Sequence, residues 1–65
     1  MEMPLVWREI IAEYDGKTVE GSYCFADALV TVATPNGSKT ARLGGLTPEQ
    51  MAKALLRELA REGKT

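Results

Sequence analysis

The chain has 65 residues, 45% of them hydrophobic, with a formal net charge of −1, one cysteine and no histidine. That length holds one small domain, residues 1–65, and a domain of this size buries only about 60% of the surface its unfolded chain exposes. A single cysteine excludes an internal disulfide, and the absence of histidine excludes mixed cysteine/histidine zinc sites. The near-neutral balance argues against general attraction to nucleic acid or to membrane surfaces.

With disulfide and zinc staples excluded, self-association is the expected way to supplement a marginal core. Met1–Leu5 carries no positive region of the kind that opens a signal peptide. No stretch approaches the roughly 18 apolar residues of a membrane span. A lone thiol without an export signal implies a reducing, cytoplasmic setting and no membrane.

In chain order, the first segment supports two readings. Trp7, Ile10, Ile11 and Tyr14 have the i, i+3, i+4, i+7 spacing of an amphipathic helix, and Pro4 suits a first helical turn. The β-branched Val6, Ile10 and Ile11, followed directly by Asp15-Gly16, point instead to a strand ending in a hairpin. In the strand reading Tyr14 pairs with Lys17, Ala12 with Val19, Ile10 with Gly21 and Val6 with Phe25. A turn at Ala26-Asp27 then sets Tyr23 opposite Val30. A second two-residue turn at Asn36-Gly37 sets Val32 opposite Ala41 and Val30 opposite Leu43. These turns place Val6, Ile10, Ala12, Val19, Tyr23, Phe25, Val30, Val32, Ala41 and Leu43 on one buried face.

After Gly44-Gly45, Thr47 is the expected N-cap, Pro48 the first helical residue and Gln50 the partner in a capping box. Leu46 is placed to staple onto Met51, and Gly63 to follow the last helical turn. Met51, Ala52, Leu55, Leu56, Leu59 and Ala60 form one apolar helix face. Helix initiation accounts for the whole of this stretch without a phosphate. No glycine-rich nucleotide motif is present, and no cofactor is expected. Met1–Pro4 and Gly63–Thr65 read as loose ends. The expected fold is α+β, an antiparallel meander of three to four strands with one C-terminal helix on one face. Its alternative, with a helical first segment, is αβββα.

Four stretches together resemble a known pattern: "YDGKTVEGSY" (Tyr14–Tyr23), "LVTV" (Leu29–Val32), "GSKTARLGG" (Gly37–Gly45) and "PEQMAKALLREL" (Pro48–Leu59). In this order they resemble a family of very small uncharacterised proteobacterial proteins. The resemblance covers about three-quarters of the chain and favours a strand before Asp15. This sequence has Ala26-Asp27-Ala28 where the pattern carries a glycine-bearing turn. The family has no established activity, so the resemblance transfers no site residue.

Two surfaces are candidates for function. In the strand reading Leu5, Trp7, Ile11, Cys24 and Leu29 share the sheet face away from the helix, with Trp7 opposite Cys24 and Cys24 facing Leu29. A sheet covered on one side is expected to be polar on the other. An apolar cluster there therefore implies a homodimer interface or a protein partner. The second candidate is an anion or nucleic-acid surface made of Lys39 and Arg42 with Lys53, Arg57 and Arg61. With a helical first segment this surface is similar to that of double-stranded-RNA-binding domains, although Leu-Gly-Gly-Leu-Thr-Pro interrupts the pattern before the last helix. A solvated helix face accounts for the basic stripe more simply.

Catalysis is not expected. Cys24 has no histidine partner, and Glu9, Glu13 and Glu20 share a solvated face rather than a cleft. No catalytic or metal-ligating residue is assigned. The sequence thus reads as a non-enzymatic interaction module that self-associates.

Overall fold

The computed structural model of the chain describes residues 6–65. Four strands precede one helix: β1 (Arg8–Tyr14), β2 (Lys17–Ala26), β3 (Leu29–Thr34), β4 (Gly37–Arg42) and α1 (Pro48–Arg61). The strands form one antiparallel sheet in sequential order. The first segment is therefore a strand, and the αβββα alternative is excluded. Its helical periodicity arises because apolar residues occupy both sheet faces, Ile11 on one and Ile10 and Tyr14 on the other.

The first hairpin has the expected register, with Tyr14 opposite Lys17 and Ala12 opposite Val19. Asp15 and Gly16 both have positive φ, +54° and +76°, which a right-twisted two-residue turn requires. Pairing begins at Arg8, so the expected pair of Val6 with Phe25 lies beyond the ladder.

The other two turns sit one residue away from their expected places. Asp27-Ala28 replaces Ala26-Asp27, so Tyr23 faces Val32 and Phe25 faces Val30. This register makes two aromatic/β-branched cross-strand pairs, a favourable combination. Pro35-Asn36 replaces Asn36-Gly37, so Val32 faces Lys39 and Val30 faces Ala41. Neither residue of that turn has positive φ. Proline presets the φ of the first turn position, and the Thr34 hydroxyl accepts a hydrogen bond from the Asn36 N–H at 3.2 Å. Each one-residue displacement of a turn shifts the pairing by two residues. Side chains alternate with period two, so every residue keeps its face.

One face meets α1. Ile10, Ala12, Val30 and Val32 of the sheet pack with Ala52, Leu55, Leu56 and Leu59 of the helix, and Val19, Tyr23, Ala41, Leu43 and Met51 border them. Leu56 lies close to the sheet at Gly21, where a Cβ would be 3.1 Å from its Cδ1 and 3.0 Å from the Ala33 carbonyl oxygen. A bare backbone at that position is what lets helix and sheet approach. Val6 and Phe25, expected in this core, are exposed.

The helix starts as expected. The Thr47 hydroxyl accepts from the Gln50 N–H, and the Gln50 side chain accepts from the Thr47 N–H, both at 3.1 Å. Gly63–Thr65 is not loose. The Lys64 N–H donates to the Leu59 carbonyl, the Thr34 hydroxyl donates to the Lys64 carbonyl, and Asn36 Nδ2 donates to the Thr65 carbonyl. The tail thereby ties the far end of the helix to the Pro35-Asn36 turn.

Two substitutions test this account. Ala28 has φ +63°, a conformation that costs an L-residue with a side chain roughly 1–2 kcal/mol. Ala28→Gly should raise the urea midpoint, with a net gain of about 0.5–1 kcal/mol after the added entropy of the unfolded chain. Thr47→Ala should lower stability by about 1 kcal/mol, and an unchanged midpoint would contradict the cap.

Candidate functional site

In a sequential meander the start of β1, the end of β2, the start of β3 and the end of β4 lie together. Among the described residues six large apolar side chains are exposed: Val6, Trp7, Ile11, Phe25, Leu29 and Leu46. All but Ile11 belong to that one end. Trp7 and Phe25 are each 47% exposed and Val6 is 69% exposed. By alternation Phe25 shares the helix-side face with Val30, while Leu29 lies on the outer face. The apolar surface therefore wraps around the end of the sheet.

The expected interface residues divide accordingly. Trp7 and Leu29 lie at this end. Ile11 lies further along β1, opposite Glu20. Cys24 is on the outer face but faces Thr31 rather than Leu29. It is buried yet stands apart from the main core cluster. Leu5 lies outside the described residues. Sequence reasoning assigned Phe25 and Val6 to the core, and so missed them here. The signal available was their place at the strand ends, beyond the reach of a helix that starts only at Pro48.

The basic residues do not converge. Lys39 and Arg42 are three positions apart on β4 and therefore point to opposite faces, Lys39 toward α1 and Arg42 outward beside Leu29. Lys39 Nζ contacts Glu62 Oε2 and lies 3.4 Å from Glu58 Oε1. Arg57 turns toward β1, where its Nε donates to the Glu13 carbonyl at 3.3 Å. Lys53 lines the same shallow cleft as Arg57 and Glu13. Arg61 is exposed in the last helical turn, where a cation complements the helix dipole. Thus the helix sends acidic side chains toward β4 and basic ones toward β1.

The hydrogen bond that Lys39 donates to Glu62 raises the Lys39 pKa above its ordinary 10.5, and the same bond lowers that of Glu62 below its ordinary 4.5. Both shifts favour the charged pair. Among the described residues no group of three histidine, cysteine or carboxylate side chains is arranged to hold a metal. Among the described residues no helix is long and apolar enough to cross a membrane.

Comparison of the chain with protein-family models, with curated proteins and with solved structures gives no match. The functional reading therefore rests on the geometry of the molecule itself.

The ion pair predicts a pH profile. The depressed Glu62 pKa adds stability above about 4.5 that is lost as pH falls through the folded-state value. The raised Lys39 pKa adds stability below about 10.5 that is lost as pH rises through its folded-state value. Lys39→Met should therefore lose less of its urea midpoint between neutral and strongly acidic pH than the parent protein does. Equal losses would show that the pair contributes nothing.

Proposed function

We propose that this chain is a non-enzymatic protein-interaction module that self-associates as a homodimer through the apolar end of its sheet. One observation carries the reading: Val6, Trp7, Phe25, Leu29 and Leu46 are all exposed, and the strand order brings the segments that bear them to one end of the sheet. A contiguous apolar patch is uncommon on a monomer of this size and is the usual mark of an interface. Trp and Phe suit the centre of such a patch, since aromatic side chains supply much contact area at small entropic cost. A two-fold axis through this end would bring two identical patches together, the commonest closed arrangement of equal subunits.

The opposing surfaces support a binding role over a catalytic one. Glu9, Glu13 and Glu20 stand exposed on the outer face, and Cys24 is buried. The nucleic-acid alternative has less support. Its strand lysine is held by two carboxylates, and its two strand cations face opposite ways. A cytoplasmic setting remains part of this proposal, resting on the lone free thiol.

Sedimentation equilibrium across a dilution series tests the dimer. The parent protein should dissociate with dilution while its tryptophan emission moves to longer wavelength. Trp7→Glu should weaken association at least about tenfold, as loss of a central aromatic anchor does, and keep its far-ultraviolet circular dichroism. A concentration-independent monomer would overturn the proposal.

A further inference from the structure

A second surface lies toward the other end of the sheet. β2 pairs with β1 from Lys17 onward but with β3 only from Ser22. Gly21 still has Ala33 and Thr34 of β3 beside it, so Lys17–Glu20 is the part with a strand on one side and, among the described residues, none on the other. In a two-residue hairpin the residues facing across the turn exchange hydrogen bonds, and so do alternate pairs beyond them. Here those pairs are Tyr14/Lys17, Ala12/Val19 and Ile10/Gly21. Thr18 and Glu20 consequently direct their N–H and C=O groups away from β1, into the notch left by the short β3.

The notch is the side of an open groove of about 640 Å³. Thr18 and Glu20 line it, Ile11 contributes an apolar surface, and Pro35 and Thr65 also border it. Ile11 is 55% exposed. On the outer face of β1 and of this part of β2 the charged side chains are Glu9, Glu13 and Glu20, of which Glu9 and Glu20 line the groove; Lys17 alternates to the helix side and borders the groove at its hairpin end. The full-length outer edges of the sheet differ. On β1 the Glu13 carbonyl already accepts from Arg57, and β4 is not part of this groove.

We infer that the notch beside Thr18 and Glu20 is a β-augmentation site for an extended basic peptide segment of a partner protein. The peptide adds as a short strand in line with β3, and its main chain pairs with Thr18 and Glu20. Its alternate side chains face opposite ways. Cations on the outer face meet Glu9 and Glu20, and apolar residues on the other face lie beside Val19. A second copy of this chain is a poor occupant, because pairing two of these edges lays one acidic face beside another. The site is separate from the apolar end and does not depend on dimer formation.

The probe is a short peptide alternating lysine and valine, titrated into the isotope-labelled full chain and followed by NMR. Saturable binding should protect the Thr18 and Glu20 amides from exchange. The same peptide with glutamate in place of lysine should bind at least about tenfold more weakly. So should the lysine peptide methylated on alternate backbone nitrogens, which keeps the side chains and removes the donors. Thr18→Pro deletes an N–H that β1 does not use and should also weaken binding about tenfold. If that variant fails to fold, Glu20→Lys serves instead, and should weaken the lysine peptide while strengthening the glutamate one. Equal binding of the methylated peptide, or protection at Ser38 and Thr40 in place of Thr18 and Glu20, would overturn the inference. So would equal affinity for the two charge types.

Discussion

One helix must cover a four-stranded sheet, and this mismatch of dimensions organises the molecule. Fourteen residues make a helix about 21 Å long and roughly 10 Å across. Four strands at about 4.8 Å spacing present a broader face. The helix can bury a central strip, and it does so with Leu55, Leu56 and Leu59 over Ile10, Val30 and Val32. Whatever lies past its N-terminal end on the same face stays uncovered, as Phe25 does. No helix or second sheet covers the outer face among the described residues, and although Cys24 is buried there, Ile11 and Leu29 are exposed. The apolar surfaces available for binding are thus the remainder of an incomplete two-layer fold.

The helix is seated by unlike contacts along its two long sides. Toward β4, Glu58 and Glu62 receive Lys39, which stands on the helix-facing side of the sheet where an apolar residue would otherwise be expected. Toward β1, Arg57 reaches the Glu13 carbonyl. The contacts are exposed or half-buried, so their energetic worth is modest. Their chemistry is directional, since turning the helix end for end would set like charges together. Between them, Gly21 admits Leu56 against the sheet backbone. Apolar burial supplies the attraction, and the polar flanks select the orientation.

Much of this architecture was legible from local chemistry. Thr47, Pro48 and Gln50 define the helix start because a capping box is a short-range device, complete within four residues. Asp15-Gly16 defines the first register because both of its residues tolerate positive φ. The other two turns were misplaced because local preference competed with pairing. Asn36-Gly37 is the stronger hairpin dipeptide, yet Pro35-Asn36 aligns β3 flush with β4 and lets Leu43 N–H reach the Ala28 carbonyl at 3.0 Å. At Asp27-Ala28 the strain of an alanine with positive φ is offset by the Phe25/Val30 and Tyr23/Val32 pairs. Lys39 looked like a free cation because its partners lie 19 and 23 residues away on the helix. The apolar end and the notch depend on where elements stop relative to one another, which periodicity within one segment does not encode.

The arrangement of contacts also separates the order in which parts can assemble. Each hairpin closes a loop of two residues. The helix, however, packs most extensively against β1, the described element furthest from it in sequence. Bringing them together closes most of the chain into a ring. The entropic cost of closure grows with the logarithm of loop length, so this contact is unfavourable until the intervening strands have shortened the effective loop. A nascent meander can form and dissolve quickly, but it has little to bury until the helix docks across it. Docking joins the first strand to the last element and turns three separate hairpins into one cooperative unit.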